Sequence, residues 1–200
     1  MTTLLALRGG NYLRADEVLA VPRAFSKGHM KLAYPYQGEK PAPFTPRHPE
    51  DVTSPQLRKA LALWRARCPA GGELPAAGGF DILDYQQVVR SLNLIEVREP
   101  PLDFVFRVHA VTGADYVGQD MTGRSVWDYP DRHYGGYVRE VCRRAKLERT
   151  PQIAVEEVLV RHKLMSYDRP YRWEALMLPL QDDAGRVSRL IFVFDLIRLS

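Results

Sequence analysis

The sequence predicts an α+β fold, and three observations carry that expectation. Five segments are enriched in β-branched and aromatic residues and bounded by Pro, Gly or acidic turns: Ser91–Arg98, Leu102–Val111, Gln152–Arg161, Tyr171–Leu180 and Val187–Arg198. Two others, at 54–68 and 131–148, place their apolar residues at helical spacing. The resulting order is β-β-loop-α-β-β-β, and the turn Gln181-Asp182-Asp183-Ala184-Gly185 makes the last two strands a hairpin.

Length and composition bound what these elements can do. The chain has 200 residues, and a domain of that size buries about 70% of its unfolded surface without help from disulfides. Its two cysteines, Cys68 and Cys142, are far apart and form no C-x-x-C pair, which argues for a reducing compartment and against a zinc or redox motif. The run Met1 to Arg8 is too short in apolar residues for a signal peptide, and no stretch approaches the ~18 apolar residues of a membrane span. A soluble, cytoplasmic protein without membrane insertion is expected. The net charge is +4, and residues 1–50 hold seven Lys or Arg against four acids. These charges are scattered singly and do not form the block of a nucleic-acid tail.

In chain order, residues 1–52 read as a basic, Pro-rich extension, and 53–200 as the folded domain with its sheet core at 91–199. Leu13–Ala20 has the pattern of a short helix stopped by Pro22. The six prolines from Tyr34 through Pro55 each fix a φ and remove a donor, which gives extended linker. Thr53-Ser54-Pro55-Gln56 then supplies a hydroxyl cap, a first-turn proline and a glutamine placed for a capping box. Leu57, Ala60, Leu61 and Trp64 follow as one apolar stripe, and Cys68-Pro69-Ala70-Gly71-Gly72 ends the helix. That stripe is expected on the domain's own sheet or, alternatively, also against a second subunit. Asp81–Arg90 holds a further short helix. In Asp131–Glu148, Tyr134, Tyr137, Val138, Val141, Cys142 and Ala145 share one face, and Arg139, Glu140, Arg143, Arg144 and Lys146 the other.

A resemblance runs through the same residues. The strand piece Phe106-Arg107-Val108 leads through Asp115 into Gly118-Gln119-Asp120-Met121-Thr122-Gly123-Arg124. Before it stand Leu63-Trp64-Arg65, Leu74-Pro75, Phe80-Asp81-Ile82-Leu83-Asp84 and the strand Leu92 to Val97; after it stands Leu178-Pro179-Leu180 with an acidic, glycine-containing turn. In this order, over roughly residues 57 to 197, the chain resembles the stand-alone PAS-like domains of bacteria, known mainly from alphaproteobacteria. It departs from that pattern after the Arg-containing strand, where Ala110 and Val111, preceded by His109, stand in place of a glycine and a small polar residue. The resemblance implies a five-stranded antiparallel sheet with helices on one face, a homodimer formed through flanking helices, and a sensory or interaction role. With no effector after Ser200, signalling is expected in trans through a separate partner protein.

Candidate chemistry is sparse. Glu156 and Glu157 adjoin on a strand and so point to opposite faces. His29, His48, His109, His133 and His162 lack metal-ligand spacing, and the suitability of imidazole as an axial ligand is the only argument for haem at His109 or His133. No nucleophile motif appears, so no enzymatic activity is expected. If the inner sheet face meets the long helix, Phe106, Val108, Ala110, Trp173, Met177, Phe192 and Phe194 line a space roofed by Trp127, Tyr134 and Tyr137. That space is either a pocket for a small organic ligand or a filled core. One alternative takes Gly118, Gly123, Arg124 and Ser125 as a nucleotide loop of type G-x-x-x-x-G-K-[ST] in a nucleotide binder or small enzyme. Arginine stands there in place of lysine, and Pro130 follows where a helix should open. A second alternative is a nucleic-acid accessory role for the basic arm.

Overall fold

The computed structural model describes residues 4–6, 12–14, 46–117, 119–130, 132–161 and 168–199. Near the N-terminus, β1 (Leu4–Ala6) and β2 (Tyr12–Arg14) pair antiparallel. Leu13 and Arg14 are thus held by strand pairing and do not start the expected helix at 13–20, the rest of which lies outside the described residues. So does the linker through residue 45.

The main sheet contains β3 (Leu92–Arg98), β4 (Asp103–Val108), β5 (Gln152–Arg161), β6 (Asp168–Gln181) and β7 (Val187–Arg198). All neighbours are antiparallel and the spatial order is β4-β3-β7-β6-β5, so the last strand is central. Burial explains what covers it. On β6, Trp173, Ala175 and Met177 lie on one face and Glu174, Leu176 and Leu178 on the other, and all six are buried. A strand apolar on both sides must be covered on both. Helices do this from opposite sides: the long helix lies on one face, and the flanking helix, for which the sequence set no face, lies on the other.

Helix α1 (Pro55–Ala66) covers the face of Leu176 and Leu178. Its cap is Ser54, whose hydroxyl accepts from the Leu57 amide at 3.3 Å, with Pro55 in the first turn. The capping box with Gln56 does not form, because the cap falls one residue after Thr53. Thr53 is instead bound to Glu174, whose buried carboxylate accepts from the Thr53 amide and hydroxyl, the Ser54 amide and the Arg172 guanidinium at 2.6–2.9 Å. The Ser54 hydroxyl donates to Asp195 at 2.7 Å. Leu57, Ala60, Leu61 and Trp64 are buried, and the Trp64 indole donates to the Pro179 carbonyl at 2.9 Å. The stripe is therefore used on the chain's own sheet, each large side chain contributing about 2 kcal/mol by burial. It is not free for a second subunit.

Two shorter helices differ from expectation. Asp81–Arg90 contains only a 3-10 turn, Ile82–Tyr85, capped by the Asp81 carboxylate on the Leu83 amide. The strand expected over Leu102–Val111 stops at Val108, and α2 (Val111–Val117) follows it. The buried Asn93 side chain ends the strand: its carbonyl accepts from the Ala110 amide at 2.9 Å, and its amide donates to Ser91 and Phe192 carbonyls. Helix α3 (Arg132–Glu148) crosses the opposite face, burying Tyr137, Val138, Val141, Cys142 and Ala145. No helix among the described residues is long and apolar enough to cross a membrane.

Candidate functional site

The motif stretch folds as a turn on the outer edge of β4. Phe106 exchanges backbone hydrogen bonds with it, donating to the Arg124 carbonyl at 3.0 Å and accepting from the Gly123 amide at 2.7 Å. Met121-Thr122-Gly123-Arg124 is closed by the Arg124 amide on the Met121 carbonyl at 2.9 Å, and Gly123 takes the positive φ of 80° that its third position needs. The Asp120 carboxylate accepts from the Thr122 amide and hydroxyl at 2.8 and 2.7 Å, and these bonds hold its pKa below the usual carboxylate value. Gly118 lies outside the described residues.

This turn is not arranged to hold phosphate. A phosphate cradle needs several free amides pointing at one place, followed by a helix N-terminus. Here five successive amides already have acceptors. Met121 donates to His109 Nδ1, Thr122 to Asp120, Gly123 to Phe106, Arg124 to Met121 and Ser125 to Asp128. The chain then makes one 3-10 turn, Val126–Asp128, and α3 begins only at Arg132.

Of the residues expected around the inner space, Tyr137, Trp173, Met177 and Phe192 meet at one place, and others pack in pairs nearby. Phe106 packs edge-on against Tyr129 at 5.6 Å, and Tyr129 against the half-buried Tyr134 at 5.1 Å. Tyr137 lies over Trp173 at 6.1 Å, and Phe192 beside Phe194 at 5.9 Å. Met177 and Ala110 are buried as well. Two expected members are elsewhere. Val108 is 37% exposed, because Leu94 pairs with Val108 while Ile95 pairs with Phe106. The extra residue, Arg107, makes a bulge that turns Val108 to the face opposite Phe106. Trp127 is 59% exposed, on the outside of its 3-10 turn, and roofs nothing. Between Tyr137, Val138 and Val141 on α3 and Ala154, Trp173, Ala175, Met177 and Phe192 on the sheet there remains a cavity of about 10 Å³. That is room for roughly one water molecule.

Three features have only faint sequence signals. Asn93 is buried inside a strand that otherwise reads as apolar, and such a polar intrusion marks a place where the backbone needs a partner. His109 has a side chain only 1% exposed, and its Nδ1 accepts from the Met121 amide at 3.2 Å, which leaves the ring proton on Nε2. Burial lowers its pKa to about 4; the Asp120 carboxylate, 3.8 Å away, pulls more weakly the other way. The third is Arg139, whose guanidinium lies 4.2 Å from the centroid of the Trp127 ring. These residues are 12 positions apart, so no local periodicity links them.

His133 stands in the first turn of α3 and His162 lies outside the described residues. Among the described residues no three His, Cys, Asp or Glu side chains converge as a metal site. Cys142 is buried and its thiol pKa pushed far up by that burial; Cys68 is half-buried, and both are free. No protein-family model matches the chain, and comparison with curated proteins gives no match.

Proposed function

We propose that the chain is a PAS-like interaction module, one that works by docking a partner protein in trans rather than by enclosing a small ligand. The PAS-like part is supported by five antiparallel strands in the order β-β-α-β-β-β, with α3 across one face, and by the motif turn zipped to the edge of β4. The single observation that carries the docking part is the close packing between α3 and the sheet. Among the described residues Tyr137 lies against Trp173 and Phe192 against Phe194, and the cavity they border holds about 10 Å³, whereas ligand pockets hold roughly 300–1,000 Å³. A partner would act by population shift, favouring one helix-on-sheet arrangement by its differential affinity for the two.

Native mass spectrometry of protein purified from its own host, before and after denaturation, tests this reading, with an absorption spectrum of the same sample. The expected result is the mass of the chain or a simple multiple of it, unchanged in its protomer mass by denaturation. A stoichiometric small molecule released on denaturation, or a Soret band, would overturn it in favour of a ligand sensor.

A further inference from the structure

Of the three tryptophans, Trp64 and Trp173 are 5% and 2% exposed, while Trp127 is 59% exposed. Its exposure is not slackness of the chain. The Trp127 amide donates to the Ser125 hydroxyl at 3.1 Å, and that hydroxyl donates to Asp103 at 2.6 Å. The Ser125 amide donates to Asp128 at 3.1 Å. On the inner side of the same turn α3 comes so close that a Cβ on Gly135 would stand 2.9 Å from Tyr129 Cβ and 3.1 Å from the Val126 carbonyl. A large apolar ring is thus held in a fixed position facing solvent, where folding gains little from it.

The charge beside it has no acidic partner among the described residues. Arg139 stacks on the ring, and its buried Nε–H has no acceptor. Arg132 is exposed, seven residues earlier, so it shares this side of α3 at a distance of about 10 Å along the axis. The other three cations of the helix are paired: Arg143 with Glu140 and Arg144 with Glu148 at 2.8 Å, and Lys146 with Glu99 at 2.7 Å. Among the described residues neither Arg139 nor Arg132 has an ion pair. An exposed aromatic ring stacked on a half-buried arginine, with a second, exposed arginine nearby, is the composition of interface anchors.

We propose that Trp127, Arg139 and Arg132 form a docking site for an acidic, extended segment of a partner protein. Carboxylates of that segment pair with the two guanidinium groups, and an apolar side chain between them covers the Trp127 ring. The number of free cations selects this occupant over a nucleic acid. A phosphate backbone is held by many contacts in a row, and the pairing along α3 leaves two. The assignment rests on the interaction-module reading above, whose own test is independent of it.

Because the other tryptophans are buried, acrylamide quenching of the full chain reports mainly on Trp127. The probes are a short peptide alternating Glu with Leu, the same peptide with Lys for Glu, and an oligothymidylate of similar length. The Glu peptide is expected to protect Trp127, with protection that weakens as salt rises, and the Lys peptide is not. R139Q should lower the affinity for the Glu peptide roughly tenfold, and R132Q severalfold, with the thermal midpoint of both variants near that of the parent. Protection that is absent, equal in R139Q, or stronger with the oligothymidylate would overturn the proposal. If R139Q is itself unfolded, R132Q and the salt dependence decide by the same criteria. Failure here with an unliganded chain in the mass spectrum removes this site alone, whereas a released small molecule removes the module reading whatever the quenching shows.

Discussion

His109 and Glu174 are both buried, and each is fixed in one charge state by the groups that point at it. The Met121 amide donates to His109 Nδ1, so that nitrogen must stay unprotonated, and burial lowers the pKa from 6.5 to about 4. Between these values the unfolded chain takes up a proton that the folded chain refuses. Stability is therefore full above about pH 6.5 and falls on acidification toward pH 4, by about 3 kcal/mol in all. His109→Asn keeps an acceptor for the amide and does not titrate. Urea midpoints of parent and variant should converge as pH falls through this window, and parallel curves would refute the assignment. For Glu174, burial pushes the pKa up, but the donors on Ser54, Thr53 and Arg172 outweigh it and hold the carboxyl below its usual value. Glu174→Gln turns a charged acceptor into an amide facing those donors, and should cost about 2–4 kcal/mol at neutral pH. The sign is opposite to that of a raised carboxylate: the parent's advantage is present above the ordinary carboxylate pKa and is lost as pH falls below it. A cost that stayed constant to pH 3 would show that shape, not charge, matters at Glu174.

At the scale of the element, the motif turn is a backbone device. Gly123 has φ 80° and open space where a Cβ would go, so Gly123→Ala meets no neighbour and costs only the left-handed strain, about 1–2 kcal/mol. A denaturation midpoint measures it. Arg124→Ala, by contrast, should leave nucleotide affinity no lower than in the parent, because the adjacent amides are already bonded to the protein; equilibrium dialysis with a nucleotide checks this. The regular elements were legible in the sequence for a plain reason: period and punctuation are local. The α1 stripe with its first-turn proline, the hairpin turn at 181–185, and the limits of β5, β7 and α3 all rest on residues within one or two turns of each other. What was not legible depends on distant partners. The bulge at Arg107 exists because β3 pairs with β4 in a shifted register, so alternation alone places Val108 on the wrong face. The start of α2 depends on Asn93, 17 positions from Ala110. Trp127 reads as core by residue type, and only the position of its turn puts it in water.

Over the whole molecule, the sheet is buried on both sides, and the two covers are not alike. Helix α3 lies between β4 and β5 in the chain, but α1 precedes the sheet and reaches it from outside the strand order. Its contribution can be tested by removal. A chain beginning at Pro69 lacks Leu57, Leu61 and Trp64, each worth about 2 kcal/mol, and bares Leu176, Leu178 and Val193. The loss, on the order of 6–10 kcal/mol, is comparable to the whole stability of a domain. It also strips Glu174 of the Thr53 and Ser54 donors. The truncated chain is therefore expected to lose the near-ultraviolet circular dichroism of Trp173 and to unfold without a cooperative urea transition. A synthetic peptide covering residues 46–68 should restore both in trans, because it brings back the apolar stripe and the Glu174 donors together. Glu174→Gln in the truncated chain should weaken that rescue, since the Thr53 and Ser54 amides of the peptide then face an amide group. If the truncated chain instead keeps a sharp near-ultraviolet spectrum and a single steep transition, the sheet is stable with one face uncovered. In that case α1 is an accessory to the domain and the exposed face becomes a second surface on which a partner can dock.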